Sequence, residues 1–270
     1  MSKTILITGA TDGIGLLTAQ KLASAGHKLL VHGRSQSKLD KALSEIGGDC
    51  TGVLADFSDL NAVETMSTDV KSKTDQLDIL INNAGVLKAP NTKTEAGYDL
   101  RFVVNLFAPY KLTHALLPIM PKDGRIVNLS SAAQSPVDPK AMRGEITLED
   151  MEAYAQSKLA LTVWSQETAL FYDEGPAFIA VNPGSLLATK MVKEGFGIGG
   201  SDLSVGADIL IEAALGPGFE HASGHYFDND AGRFSPPHGA ASNATHNAAL
   251  LQTLQEVVDG TAETPPPRLI

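Results

Sequence analysis

Tyr154 and Lys158 stand four residues apart in the stretch Tyr154-Ala155-Gln156-Ser157-Lys158. On a helix, side chains four apart lie one turn above each other on the same face, so a phenol and an ammonium would point into one cleft. A phenol ordinarily titrates near about 10, and a neighbouring cation favours its phenolate. Such a tyrosine can exchange a proton with a substrate oxygen near neutral pH. The plain alternative is a Tyr and a Lys sharing a half-exposed helix face. What decides between the two is the rest of the chain.

A second constellation lies near the N-terminus, in Gly9-Ala10-Thr11-Asp12-Gly13-Ile14-Gly15. An apolar strand pattern precedes it and a helical pattern follows. That is the setting in which glycines let the backbone approach a pyrophosphate, with the helix N-terminus meeting its charge. The spacing Gly-x3-Gly-x-Gly differs from the broad Gly-x-Gly-x2-Gly fingerprint, and a glycine-rich tight turn is the plain alternative. Thr11, Asp12 and Ile14 count with the glycines as expected cofactor contacts. The second strand pattern ends at Val31-His32-Gly33-Arg34 without the acid that would bind a ribose 2′-hydroxyl. Gly33 leaves room there, and Arg34 can pair with a 2′-phosphate, so NADP(H) is favoured over NAD(H).

The elements that must hold these residues follow from apolar periodicity. Strands are predicted at 3–8, 28–32, 51–55, 77–82, 125–130, 177–182 and 225–228. Helices are predicted at 13–25, 37–46, 59–73, 95–117, 151–173, 204–214 and 247–258, the last docking on the body or on a partner subunit. Continuous apolar strands alternating with helices predict an α/β fold: a Rossmann-type doubly wound parallel sheet of about seven strands, helices on both faces. A single domain over residues 1–260 and a tail at 261–270 are expected.

Composition bounds the partners. A net charge of −10 and a pI of about 5.1 argue against nucleic acid and anionic membrane. The single Cys50 excludes an internal disulfide and suits a reducing compartment. No apolar run approaches a membrane span, and no signal peptide is evident, so a cytoplasmic location is expected. His221 and His225 have a metal-compatible spacing, but His225 borders a strand pattern and no metal is expected.

Five motifs occur in order: Thr8-Gly9-x3-Gly13-x-Gly15, Asn82-Asn83-Ala84-Gly85, Asn128-Leu129-Ser130-Ser131, Tyr154-x3-Lys158 and Asn182-Pro183-Gly184. Together they closely resemble the short-chain dehydrogenase/reductase family, from the first strand to about residue 228. The resemblance implies hydride transfer between a nicotinamide and a carbonyl or alcohol. Tyr154 would be the general acid or base, and Lys158 would lower its pKa and bind the nicotinamide ribose. Ser131 would bond the substrate oxygen, with Ser130 as fallback, and Asn105 would hold a relay water. Asp56 and Phe57 match the adenine contacts, and Asn83, Ala84 and Gly85 the segment lining the adenosine ribose. Pro183 and Gly184 match the turn under the nicotinamide. The resemblance also implies a homodimer or homotetramer, paired through the helices that hold Asn105 and Tyr154.

Two departures are visible. Ser131 and Tyr154 are 23 residues apart, and the polar, turn-rich stretch 135–150 between them predicts a loop. This is similar to the retinol-dehydrogenase-like and protochlorophyllide-reductase-like branch, as is His225-Tyr226-Phe227 followed by Ser235-Pro236. That branch often takes bulky apolar carbonyls. Thr189, the expected carboxamide ligand, falls one residue later than usual. Residues 191–200, with Phe196 and Ile198 among glycines, read as a lid, and Leu87 and Met191 as pocket residues. A non-catalytic NADP(H) sensor or a related epimerase or lyase remain alternative readings.

Overall fold

Short aliphatic runs become strands because both of their faces are covered. In the computed structural model, which describes residues 2–172, 174–185, 187–189, 191, 197 and 200–260, they join into one sheet. The strands are β1 (Thr4–Ile7), β2 (Lys28–Gly33), β3 (Cys50–Leu54), β4 (Ile79–Asn82), β5 (Arg125–Leu129), β6 (Ala177–Asn182), β7 (Tyr226–Asp228) and β8 (Arg233–Phe234). Their spatial order is β3-β2-β1-β4-β5-β6-β7-β8. All neighbours are parallel except the β7–β8 pair. The eighth strand was not expected: two exposed residues carry no periodic signal. Strand order reverses between β1 and β4, which opens a crevice at the carboxyl ends of the strands.

Alternate residues of each strand face opposite layers. Ile5, Ile7, Leu29, Val31, Val127 and Ile179 pack on one side with α1 (Gly13–Ser24), α2 (Gln36–Ile46) and, later in the chain, the helix Leu203–Leu215. Leu6, Leu30, Leu80, Ile126 and Phe178 pack on the other. There they meet α3 (Leu60–Lys73), α4 (Leu100–Phe102), α5 (Ala108–Leu116), α6 (Pro139–Met142) and α7 (Asp150–Ala169). Leu203–Leu215 is α8, and Ala244–Asp259 is α9.

Three expectations are corrected. The helix expected from 95 begins at Leu100, because the Asp99 carboxylate takes the Arg101 N–H as a cap. A π-helical turn, Val103–Phe107, joins α4 to α5 and contains Asn105. The stretch 135–150 is more than a loop: Asp138 caps α6, and Val137, Ala141 and Met142 are buried. Arg101 is fully buried and bonds Asp99 at 2.8 Å and Asp150 at 3.0 Å, tying the start of α4 to the start of α7. The C-terminal helix docks on the body. Leu250 and Leu254 of α9 are buried, Asn247 bonds Glu167 of α7 at 2.7 Å, and Asp259 accepts the Tyr110 hydroxyl of α5 at 2.6 Å.

Candidate active site

The glycine turn after β1 is shaped by contacts that exclude larger residues. Gly9 has φ 63°, and a Cβ there would lie 2.7 Å from Ala84 Cα. A Cβ on Gly15 would lie 2.5 Å from the Asn83 amide and 2.6 Å from the Gly9 carbonyl. Asn83 in turn donates to the Thr8 and Gly9 carbonyls at 2.8 and 3.0 Å. The Thr8 hydroxyl accepts from the Asn83 and Ala84 amides, both at 3.0 Å. The first turn is thus bolted to the end of β4, across the switch point.

A cleft of about 660 Å³ runs from this turn to Tyr154. It is lined by Gly9, Thr11, Asp12, Gly13, Ile14 and Gly15 of the turn, by Arg34, Asp56 and Phe57, and by Asn83, Ala84 and Gly85. Ser131, Tyr154, Lys158, Pro183, Gly184 and Thr189 line its other half. Every expected site residue but Asn105 is therefore brought to one cavity. The Asn105 amide faces the protein: it accepts from the Val86 N–H at 2.8 Å and donates to the Val86 carbonyl at 3.0 Å and the Ser157 hydroxyl at 2.9 Å. Its side chain links the Gly85-Val86 segment to α7.

At the far end, Arg34 is exposed and Lys38, in the first turn of α2, joins it on the cleft wall. The sequence reading missed Lys38; its spacing of four from Arg34 was the available signal. Asp56 accepts from the Ser58 N–H at 2.9 Å. Phe57 is buried and stacks on His32, ring centroids 4.2 Å apart. The His32 ring reaches Gly9 and Ala55, each at 3.0 Å, and burial holds its pKa down at about 4.

At the near end, α7 places Tyr154 and Lys158 on the same face, the ammonium 5.7 Å from the phenol ring centroid. Lys158 Nζ donates to the Leu129 carbonyl at 2.6 Å, and burial lowers its pKa to about 8. The expected depression of the Tyr154 pKa does not occur in the protein alone. Burial pushes the phenol up, and the Ser131 hydroxyl beside it offsets that only in part. Of the two serines, Ser131 is the one on Tyr154. Ser130 is buried and bonded to the Thr162 hydroxyl at 2.6 Å. The Ser131 backbone is clamped in turn: its carbonyl accepts from Gln134 Nε2 at 2.9 Å and from the Tyr226 hydroxyl at 3.1 Å.

The turn after β6 is braced from β7. Asn182 donates to Asp228 and Asp230, both at 2.9 Å, Asp230 accepts the Ser185 N–H at 2.8 Å, and Asn229 donates to the Pro183 carbonyl at 2.9 Å. Leu87, Leu100, Val104, Met151 and Met191 give the mouth beside Tyr154 an apolar wall. Phe196 and Ile198 of the expected lid lie outside the described residues. Among the described residues no three His, Cys, Asp or Glu side chains converge as metal ligands, and no helix is long and apolar enough to cross a membrane.

Comparison with known proteins bears on this geometry. Residues 3–196 match the family model described as short chain dehydrogenase. Bovine retinol dehydrogenase 12 is 33% identical over 253 residues, covering 84% of this chain and 78% of that protein. Human polyprenol dehydrogenase is 30% identical over 258 residues, covering 83% and 76%. A chain of Shigella flexneri described as a short chain dehydrogenase, solved in complex with NADP, superposes with a TM-score of 0.68 at 26% identity, covering 84% of this chain and 97% of its own. An uncharacterised Mycobacterium paratuberculosis protein gives a TM-score of 0.74 at 26% identity, over 98% and 95%.

Proposed function

From the premise that the chain belongs to the short chain dehydrogenase family, we propose that it is an NADP(H)-dependent oxidoreductase acting on a carbonyl or alcohol, with Tyr154 as general acid and base. The observation that carries this is the meeting of Ser131, Tyr154 and Lys158 at one end of a cleft whose other end is a glycine turn facing Arg34 and Lys38.

The cleft fits a phosphorylated dinucleotide. Gly9 and Gly15 bring backbone amides to the start of α1, which suits a pyrophosphate. Two cations and no acid stand where β2 gives way to α2, which suits a 2′-phosphate. When bound, the nicotinamide supplies or accepts the hydride and, oxidised, adds a positive charge. The remaining work belongs to the chain. Ser131 donates to the substrate oxygen and orients it. Tyr154 gives that oxygen its proton in reduction and removes it in oxidation. Lys158 holds a positive charge beneath the phenol, and the Leu129 carbonyl fixes its direction. Asn105 keeps the Gly85-Val86 edge in register with α7.

The apolar mouth and the named alcohol dehydrogenases among the relatives favour a neutral, largely apolar alcohol or carbonyl. The one cysteine and the acidic pI favour a reducing, cytoplasmic setting. The test is NADPH oxidation and NADP⁺ reduction across ketones, aldehydes and alcohols, with Tyr154→Phe beside the wild type. Loss of about a hundredfold or more in kcat with NADPH binding intact is expected. Tyr154→Phe with full turnover would sink the general-acid assignment, and retained biological activity in Tyr154→Phe with cofactor binding intact would return the fold to a sensor. Turnover without net NADPH consumption would mark an epimerase or lyase.

A further inference from the structure

His32 sits where the two halves of the nucleotide end of the cleft meet. The residue is 3% exposed. Nδ1 accepts the Gly9 N–H at 3.0 Å, and Nε2 lies 3.0 Å from the Ala55 carbonyl. An N–H can only donate and a carbonyl only accept, so the ring is neutral, its proton on Nε2, and both nitrogens are occupied. The His32 backbone holds the next residue as well, its carbonyl accepting the Ala10 N–H at 2.9 Å. One residue thus fixes two consecutive amides of the glycine turn. Phe57 covers the ring face, 13° from parallel. Asp56 beyond β3 is the charge that bears on the imidazole, while Asp12, Arg34 and Lys38 line the same cleft from the turn, β2's end and α2.

Gly9 has little freedom to answer a displacement, since it turns at positive φ against Ala84. Ala55, on the other side of the ring, leads directly into Asp56 and Phe57. The imidazole therefore acts as a strut of fixed length between the turn that faces the pyrophosphate and the strand end that faces the adenine. We propose that His32 is a positioning residue for dinucleotide binding, setting the spacing between Gly9 and the β3 end. This rests on the NADP(H) reading above.

Two substitutions split the ring's two hydrogen bonds. In His32→Asn the amide oxygen stands at the Nδ1 distance from the backbone, so the Gly9 acceptor survives and the Ala55 donor is lost. In His32→Gln the polar end is one bond farther out, so it serves Ala55 and leaves Gly9 without its acceptor. Both are purified as the full chain and titrated with NADPH by nucleotide fluorescence at pH 7.5, alongside thermal melting. H32N and H32Q each leave one end of the span unheld, so each should bind NADPH about fivefold or more weakly than the wild type, the worth of one hydrogen bond. Wild-type affinity in either folded variant, or losses that follow melting temperature alone, would overturn the proposal.

A second measurement covers the case in which H32Q does not fold. In the wild type, ring ¹⁵N shifts should show the Nε2–H tautomer at pH 7 and respond at Nδ1 to added NADPH. A proton on Nδ1, or a ring indifferent to NADPH, overturns the strut. Failure of the wild type to bind any nicotinamide nucleotide would instead bring down the proposed function, and this inference with it.

Discussion

Replacing Lys158 by methionine should make the protein more stable while abolishing its proposed activity. Lys158 is 4% exposed, and its pKa stands at about 8 against an ordinary 10.5. At about 1.4 kcal/mol per pH unit, that gap is a cost of roughly 3 kcal/mol. The sign follows from proton binding. Because the folded pKa is the lower one, the unfolded chain binds the proton more tightly, and the cost is fully present below pH 8. It shrinks as pH rises from 8 towards 10.5. Methionine fills similar volume without the charge, but the Leu129 carbonyl loses its donor, which takes back about 1–2 kcal/mol. A net gain of about 1–2 kcal/mol remains, or a melting temperature higher by about 2–8 °C at pH 7.5 for a chain of this size.

The assay is thermal melting of wild type and Lys158→Met without cofactor at pH 7.5, 8.5 and 9.5. The difference should narrow by about 2 kcal/mol over that range, because the wild-type lysine loses its proton in the folded state while the unfolded chain still keeps it. Tyr110, Tyr172 and Tyr226, whose burial raises their phenol pKa values, act in both proteins and cancel in the difference. A variant that melts below the wild type at pH 7.5, or a gap that does not change with pH, would refute the reasoning. It would mean that Lys158 is not held charged against its surroundings, and so is not strain retained for function.

Other consequences can be measured separately. Replacing Arg34 and Lys38 together by alanine should weaken NADPH binding by about tenfold or more and leave NADH nearly unchanged, since the proposed function gives those cations to the 2′-phosphate alone; equal losses for both would refute the pairing. Tyr226→Phe removes one of two donors on the Ser131 carbonyl, so kcat should fall about five- to tenfold with NADPH affinity unchanged and stability down about 1 kcal/mol. Acid should unfold the wild type partly through His32: its folded pKa of about 4 lies below the ordinary 6.5, so its share of stability is lost as pH falls from 6.5 to 4, about 2 kcal/mol of it by pH 5. That slope should flatten in His32→Asn. Because α9 already lies on α7 and takes the Tyr110 hydroxyl of α5, sedimentation should show no dimer paired through those helices unless α9 is removed.

What was legible in the sequence is what backbone geometry demands of residue type. Gly9 and Gly15 had to be glycine because Ala84 and Asn83 leave no space for a Cβ, and Tyr154 and Lys158 share a face because one helix carries both. The residues that escaped notice act on backbone atoms brought to them by the fold. His32 serves Gly9 from 23 positions away, and Tyr226 serves Ser131 from 95. No local pattern announces such pairs. Asn105 was placed on the right helix, but the π turn that directs its amide to Val86 and Ser157 has no periodic signature. The two-residue β8 and the four-residue α6 were too short to register.

The stretch between Ser131 and Tyr154 is the part whose character changed most. Read as a polar loop, it would be a flap over the substrate. Its inner side is instead buried: Val137, Ala141 and Met142 enter the core, Asp138 N–H bonds Gln156 at 2.9 Å, and Arg143 pairs with Glu256 of α9 at 2.7 Å. Its outer side leaves Ile146 exposed, and Met151 follows at the rim of the cleft. A segment anchored to the core at both α7 and α9 cannot swing without breaking those contacts. Of the stretch, Ala132, Ala133 and Met151 line the cleft and residues 134–150 do not, so this segment reaches the mouth beside Leu87, Leu100 and Val104 through Met151. Under the proposed function, selection at that mouth would rest on apolar fit, where each misplaced methylene counts for about 1–3 kcal/mol, with hydrogen bonding supplied to the oxygen by Ser131 and Tyr154.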